Sequence, residues 1–170
     1  GHVDRTYKQE GGAAEVSQAS GISRDGYSFV CWNTSADGSG TDYNSGDSYS
    51  EDSDIRLYAQ WKVVKYTIFY DLAGGAMPEG KSNPSEYTIE SDTFTLVNPE
   101  RKGYAFVGWR ETDSSDETAV ENLSIEKGSF GNKSFKAVWE SLPKYVIKFN
   151  ANDADGGSSP SQLTVYEGSF

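Results

Sequence analysis

Apolar and polar positions alternate along much of this chain in short stretches, and a period of two is the signature of strands whose successive side chains point to opposite faces. Tyr66, Ile68, Tyr70 and Leu72 alternate with Thr67, Phe69 and Asp71, while Ile55, Leu57, Ala59 and Trp61 alternate with Arg56, Tyr58, Gln60 and Lys62. The first set of each pair forms a core face, and the second mixes polar residues with the aromatics Tyr58 and Phe69. Clusters such as Asp37-Gly38, Gly74-Gly75, Asn98-Pro99 and Asp155-Gly156-Gly157 separate the stretches and favour tight turns and hairpins. No long stretch carries the 3.6-residue period of an amphipathic helix. At most one short helical turn is expected per unit, between Ser91 and Lys102, where Pro99 is tolerated near the start or just past the end.

The pattern also repeats. Gly26 to Trp32 (GYSFVCW) returns as Gly103 to Trp109 (GYAFVGW), displaced by 77 residues, and Leu57 to Trp61 (LYAQW) returns as Phe135 to Trp139 (FKAVW), displaced by 78. Tyr66 to Tyr70 (YTIFY) with Gly74-Gly75 behind it recurs as Tyr145 to Phe149 (YVIKF) with Gly156-Gly157, and Pro84-Ser85 recurs as Pro160-Ser161. A fixed period of this size marks tandem units. Residues 66–139 read as one complete unit, bounded by short linkers at 62–65 and 140–144. Residues 1–61 read as a partial unit lacking its opening strand, and residues 145–170 as the opening strands of a further unit. The two fragments are complementary. A lone hairpin is marginal in water, so residues 145–170 are expected to complete residues 1–61, either within the chain or by strand exchange with another copy. The donor would be Tyr145 to Ala151 and the acceptor edge would lie within residues 22–61.

Composition narrows the function. The 170 residues carry 15 Lys+Arg against 26 Asp+Glu, a formal charge of -11. This opposes nucleic acid, whose binding rests on Lys/Arg neutralising phosphates, and adhesion to anionic membranes. The longest apolar stretches, such as Phe29 to Trp32, fall far short of the roughly 20 residues that cross a bilayer as a helix, so no direct membrane insertion is expected. Gly1-His2 reads as the remnant of a cleaved tag, so the lack of a visible signal peptide carries no information.

Candidate chemistry is sparse. His2 is the single histidine, which leaves Ser-His-Asp and Cys-His constellations without a native base. Cys31, the single cysteine, reads as a buried or half-buried replacement for glycine rather than a nucleophile, and Cys/His zinc sites are excluded by count. The acids concentrate in polar stretches such as residues 51–54 and 113–117, which read as solvated turns. Asn150, Asn152, Asp153, Asp155 and Gly156 approach a calcium loop, but the frame puts Ala151 at its first ligand position and Gln162 at its twelfth. A slightly longer hairpin is the better reading. Asn33-Thr34-Ser35, Asn122-Leu123-Ser124 and Asn132-Lys133-Ser134 match the glycosylation sequon and are expected to be idle. No catalytic residue, cofactor or metal is expected.

The residues that carry the repeat resemble a known family, the Listeria/Bacteroides repeat, related to the B repeat of internalin-type surface proteins. The resemblance rests on the opening Tyr-x-Ile-x-(Tyr/Phe) with its Gly-Gly, on Gly-Tyr-x-Phe-x-Gly-Trp from Gly103 to Trp109, and on the closing (Leu/Phe)-x-Ala-x-Trp. It covers about residues 22–170. Cys31 departs from the pattern where Gly108 keeps the motif glycine, so the backbone near Cys31 is expected to differ. The resemblance implies a mainly β or small α+β fold of tandem β-grasp-like units, exported to the bacterial cell surface and linked with adhesion or host contact, without a catalytic motif.

Gly26, Tyr27, Trp32, Trp61, Gly103, Tyr104, Gly108, Trp109 and Trp139 are the structural motif positions. In a unit of this size, where surface-to-volume ratio makes cores marginal, a buried Trp or Tyr covers about 150–250 Å² and can replace several aliphatic residues. The tryptophans therefore read as core pillars, the alternative being a row of exposed aromatics. Tyr58 and Phe69, on the polar-mixed faces, are the better candidates for partner contact. The expected role is a non-catalytic spacer and adhesion surface of an exported protein. The alternative is a discrete module that binds a host protein or glycan.

Overall fold

The structure, a computed structural model, describes residues 7–150, 152, 156–158 and 162–167. It divides into two compact units. The first comprises Gly1–Lys65, Thr88–Ser91 and Gly128–Phe130, and the second Tyr66–Tyr87, Asp92–Lys127 and Gly131–Phe170.

The strands of the first unit are β1 (Ala14–Glu15), β2 (Tyr27–Asn33), β3 (Asp42–Tyr43), β4 (Ser48–Tyr49) and β5 (Tyr58–Val63). They form a three-stranded antiparallel sheet in the order β3-β2-β5 and a two-stranded ribbon β1-β4. Val16, Gly26, Cys31 and Asn33 are its buried residues among those described, so little apolar surface leaves water. Trp32, Tyr49, Leu57, Ala59 and Trp61 are half-buried.

The second unit contains β6 (Tyr66–Asp71), β7 (Glu86–Tyr87), β8 (Phe94–Thr95), β9 (Tyr104–Glu111), β10 (Ser124–Ile125), β11 (Lys133–Ser141), β12 (Lys144–Ile147) and β13 (Leu163–Tyr166). Its main sheet has the order β7-β6-β11-β9, with β10-β8 and β12-β13 as separate two-stranded pieces. The opening strand β6 pairs parallel with the closing strand β11, with Phe135 opposite Tyr70 and Lys133 opposite Ile68. The alternation read from sequence is visible in β6, where Ile68 is buried and Phe69 exposed. Ile68, Tyr87, Leu96, Trp109, Ile125, Phe135 and Ala137 form one core cluster, flanked by Tyr66, Tyr70, Leu72, Phe94, Phe106, Leu123 and Trp139. Edge-to-face contacts knit it together: Phe106 stands 5.6 Å from Trp109 and 5.4 Å from Trp139, and Tyr70 5.6 Å from Trp109.

The described residues are all-β, and the short helical turn expected between Ser91 and Lys102 is not formed. Distant partners take that segment's backbone instead. β8 pairs antiparallel with β10, Leu96 N–H donates to Leu123 O at 2.8 Å, and Asn83 holds Val97 through both its side-chain atoms, at 2.7 and 3.0 Å. These bonds use the backbone groups of Phe94 to Val97 that an i to i−4 ladder would need.

Both GY-x-F-x-x-W strands carry a bulge at the same place. The register of β2 on β5 slips between Phe29 and Cys31, and that of β9 on β11 passes from Phe106 to Gly108, leaving Val30 and Val107 unpaired and exposed. A bulge inserts one residue and sharpens the local twist, which re-aims the following tryptophan. The departure at Cys31 therefore leaves the bulge intact and changes what packs beside it. Gly108 has φ 153, and a β-carbon there would meet Val120 N at 2.6 Å, whereas the Cys31 thiol donates to Asp42 Oδ1 at 3.3 Å.

Candidate interaction surfaces

The turn before each bulged strand is built alike. Gly26 and Gly103 have φ of 77 and 79, a left-handed conformation that glycine adopts without strain. Each also lets a later residue close in: an added β-carbon would stand 2.6 Å from Ile89 Cβ at Gly26 and 2.7 Å from Tyr166 Cε1 at Gly103. Two residues ahead of each glycine an arginine lies over the tyrosine that follows it. Arg24 is 3.7 Å from the Tyr27 ring centroid and Arg101 3.7 Å from that of Tyr104. Tyr27 Oη donates to Glu90 Oε1 at 2.6 Å, and this bond to a carboxylate, with partial burial, holds the phenol above its ordinary pKa. The arginines went unremarked in the sequence reading, although Arg-x-Gly-Tyr recurs with the motif it precedes.

The same turns grip the chain that follows each closing strand. Val64 N–H donates to Gly26 O at 2.9 Å, and Leu142 N–H donates to Gly103 O at 3.0 Å. Two residues separate β5 from β6, and two separate β11 from β12.

In the second unit Tyr104, Phe106, Trp139, Arg101, Leu142 and Tyr166 line an open groove of about 650 Å³. Trp139 reaches it while its indole N–H donates to Leu72 O at 3.0 Å. Tyr58 is 36% exposed at the start of β5, opposite Asn33, and Phe69 is 66% exposed in the middle of β6. They belong to different units. Among the tryptophans Trp109 is 1% exposed, whereas Trp32, Trp61 and Trp139 are half-buried. Trp32 Nε1 donates to Ser17 O at 3.0 Å.

A polar organiser escaped the sequence reading. Asn33 is fully buried. Its Nδ2 donates to Asp42 Oδ1 at 2.6 Å and Gly38 O at 3.2 Å, and its Oδ1 accepts from the Ser35 and Gly40 amides at 2.7 and 3.1 Å. It shapes the loop between β2 and β3, so its burial has a structural cause. Asp42, accepting from Asn33 and then Cys31, sits below the ordinary carboxylate range, and burial followed by the bond to Asp42 raises the Cys31 thiol. A raised thiol is a poor nucleophile at neutral pH. No group of three or more His, Cys, Asp or Glu able to hold a metal occurs among the described residues. Ala151, Asp153 and Asp155 of the calcium-like frame lie outside them.

The model of the Listeria-Bacteroides repeat domain matches residues 1–60 and 66–134. A protein of Evansella cellulosilytica named as a Gly-rich membrane protein is 33% identical over 150 residues, 86% of this chain and 16% of that protein. A second membrane protein of that organism is 30% identical over 140 residues, 81% of the chain and 19% of the relative. Internalin H of Listeria monocytogenes is 30% identical over 94 residues, 55% of the chain and 16% of its own length. The chain thus spans less than a fifth of these relatives. No solved structure matches. No helix is long and apolar enough to cross a membrane among the described residues. The segment is a bacterial repeat of the kind found in surface proteins.

Proposed function

Because this chain belongs to the Listeria-Bacteroides repeat domain family, we propose that it is a spacer within a longer exported protein, its tandem units holding other parts at a distance and offering an adhesion surface. The observation that carries this reading is the treatment of the connections. Each is two residues long, and each is tied by a backbone hydrogen bond to the Gly-Tyr turn it leaves, Val64 to Gly26 and Leu142 to Gly103. A freely jointed linker would be longer and rich in Gly and Ser. A net charge of -11 keeps a crowded array soluble. The parallel pairing of β6 with β11 across a four-stranded sheet supports a β-grasp-like organisation in which the sheet is kept and the helix replaced by extended chain.

A second reading is a binding module for a host protein or glycan. It is favoured by the exposure of Tyr58 and Phe69 and by the aromatic groove between Tyr104 and Trp139. Exchange of this segment in its parent protein for an unrelated β repeat of equal length separates the two. Retained adhesion supports the spacer. Adhesion lost on exchange, together with saturable glycan or protein binding by the purified chain that disappears in Tyr58→Ala or Phe69→Ala, supports the module and overturns the spacer.

A further inference from the structure

Two short stretches of chain lie in one compact unit while their neighbours on both sides lie in the other. Thr88–Ser91 and Gly128–Phe130 belong to the first unit, whereas Tyr66–Tyr87, Asp92–Lys127 and Gly131–Phe170 make up the second. By sequence both stretches are parts of the complete repeat, residues 66–139. That repeat thus lends two pieces of itself to the unit before it.

Both pieces are held at their ends and at their tips. On the flanks, Tyr87 Oη donates to Gly131 O at 2.5 Å and Lys127 Nζ reaches Asp92 Oδ1 at 2.8 Å, and these four residues all belong to the second unit. Gly128 N–H donates to Ile89 O at 3.1 Å and so joins the two stretches to each other. Thr88 and Ser91 close the first stretch into a turn, with Ser91 N–H donating to Thr88 O at 3.0 Å and Thr88 N–H to Ser91 Oγ at 2.9 Å. The turn presents Ile89 and Glu90 to Gly26 and Tyr27. Gly26 is buried, and a β-carbon there would overlap Ile89, 2.6 Å from its Cβ. Tyr27 Oη donates to Glu90 Oε1 at 2.6 Å while Arg24 covers the Tyr27 ring. The second copy of the turn is filled in the same manner. Tyr166 lies against Gly103, and Ile89 and Tyr166 each follow their glycine by 63 residues.

We propose that the Arg-x-Gly-Tyr turn is a docking site whose ligand is the Ile89-Glu90 pair of the following repeat, and that filling it makes the stability of the first unit depend on the folding of the second. Effective concentration supplies the coupling. With the second unit folded, both stretches are fixed at their ends, and Ile89 and Glu90 meet the turn already ordered. With it unfolded, Glu90 is tethered to Tyr27 only through 63 residues of chain, and one half-buried aliphatic side chain with one hydrogen bond does not offset the entropy of closing that loop and ordering its tip. The glycine is required because the ligand's side chain fills the volume a β-carbon would take. Ile89 and Tyr166 show that the place accepts an aliphatic or an aromatic residue. Each repeat thereby steadies the one before it, a property that goes beyond holding parts at a distance.

Hydrogen exchange of the intact chain tests this, read by mass spectrometry on peptides from β2 and β5 for the first unit and from β9 and β11 for the second. Ile89→Ala should speed the slowest β2 and β5 amides roughly tenfold, as loss of a half-buried aliphatic side chain does, and leave β9 and β11 unchanged. Glu90→Gln keeps the shape and removes the charge. It should speed the same amides several-fold, and its effect should vanish in a Tyr27→Phe background. Leu96→Asp places a carboxylate at a core position of the second unit that is 3% exposed and opens that unit. The β2 and β5 amides should then exchange faster by at least the factor seen for Ile89→Ala, and adding Ile89→Ala should change nothing further, because the site is already empty. The proposal is overturned if Ile89→Ala leaves β2 and β5 unchanged, if the first unit keeps its protection once Leu96→Asp has opened the second, or if the effects of these two substitutions simply add. Each of those results leaves the spacer reading standing, since it rests on the short connections and not on coupled stabilities.

Discussion

The backbone of Val120 lies against Gly108 with no room for a side chain between them. An added β-carbon would stand 2.6 Å from the Val120 nitrogen, and the next residue, Trp109, exchanges both backbone hydrogen bonds with Val120 at 2.9 Å. In the first unit Cys31 occupies the equivalent place beside Asp42. Gly108→Ala therefore has to push backbone rather than a pliable side chain, and it should destabilise the second unit by about 1–3 kcal/mol, the usual cost of overpacking. Cys31→Gly gives up a buried thiol and its bond to Asp42 along with backbone entropy, and should cost about 1–2 kcal/mol. Urea unfolding followed by tryptophan fluorescence ranks the two.

Trp109 and Trp32 hold the same motif position with different burial. Trp109→Ala removes a side chain that is 1% exposed from the centre of the cluster, and should cost about 3–5 kcal/mol. Trp32 is half-buried, so Trp32→Ala should cost roughly half as much by the area it covers. Equal losses in chemical denaturation would contradict this asymmetry.

Tyr70, alongside the buried Tyr87, contributes to the second unit's pH response at the alkaline end. Burial pushes its phenol up from 10.0 to about 12, and Tyr70 Oη donates to Pro84 O at 2.9 Å. A group whose folded pKa is raised stabilises fully below its unfolded pKa and stops doing so as pH rises through the folded one. The second unit should thus lose stability between pH 10 and 12, and Tyr70→Phe should flatten that loss while costing about 1 kcal/mol at neutral pH for the hydrogen bond. Thermal unfolding across pH 8–12 reads both.

At the acid end Asp37 is held down to about 2 by hydrogen bonds from Ser35, then from the side chain and amide of Ser39. A depressed carboxyl stabilises above its unfolded pKa and loses that effect as pH falls through the folded value. Asp37→Ala should lower the melting temperature of the first unit at pH 7 and make no difference near pH 1.5. A difference that persisted at the lower pH would reject the assignment.

Arg101 over Tyr104 is an exposed cation–π pair, worth about 0.5–1 kcal/mol. Arg101→Gln and Tyr104→Leu should each destabilise, with a coupling of that size in a double-mutant cycle. Zero coupling would reduce the stack to coincidence.

Much of this architecture was readable before any coordinates. The two-residue alternation identified β5, β6 and β11, and the echo of GYSFVCW in GYAFVGW located β2 and β9, because both signals are local. The short strands were not legible. Phe94–Thr95 is two residues long and is specified by Ser124–Ile125, some thirty residues away, so its own sequence offered a helical turn as readily as a strand. The face of Tyr145, Ile147 and Phe149 looked like core because sequence records which residues favour burial and not whether anything arrives to bury them. Asn33 was read as an idle sequon since its four hydrogen bonds come from a loop that closes only in three dimensions. Arg24 and Arg101 were legible as a repeated spacing, two residues before the glycine, and were passed over among the polar positions.

The parallel pairing of β6 with β11 carries a consequence for load. The chain enters the second unit's sheet at Tyr66, the start of β6, and leaves it near Ser141, the end of β11. Tension applied through those two points pulls neighbouring parallel strands in opposite senses along their length. The hydrogen bonds between Ile68–Asp71 and Lys133–Lys136 then stretch in shear and share the force, instead of opening one after another as they would in a hairpin pulled apart at its ends. Tyr70 and Phe135 pack 6.2 Å apart across this sheared pair.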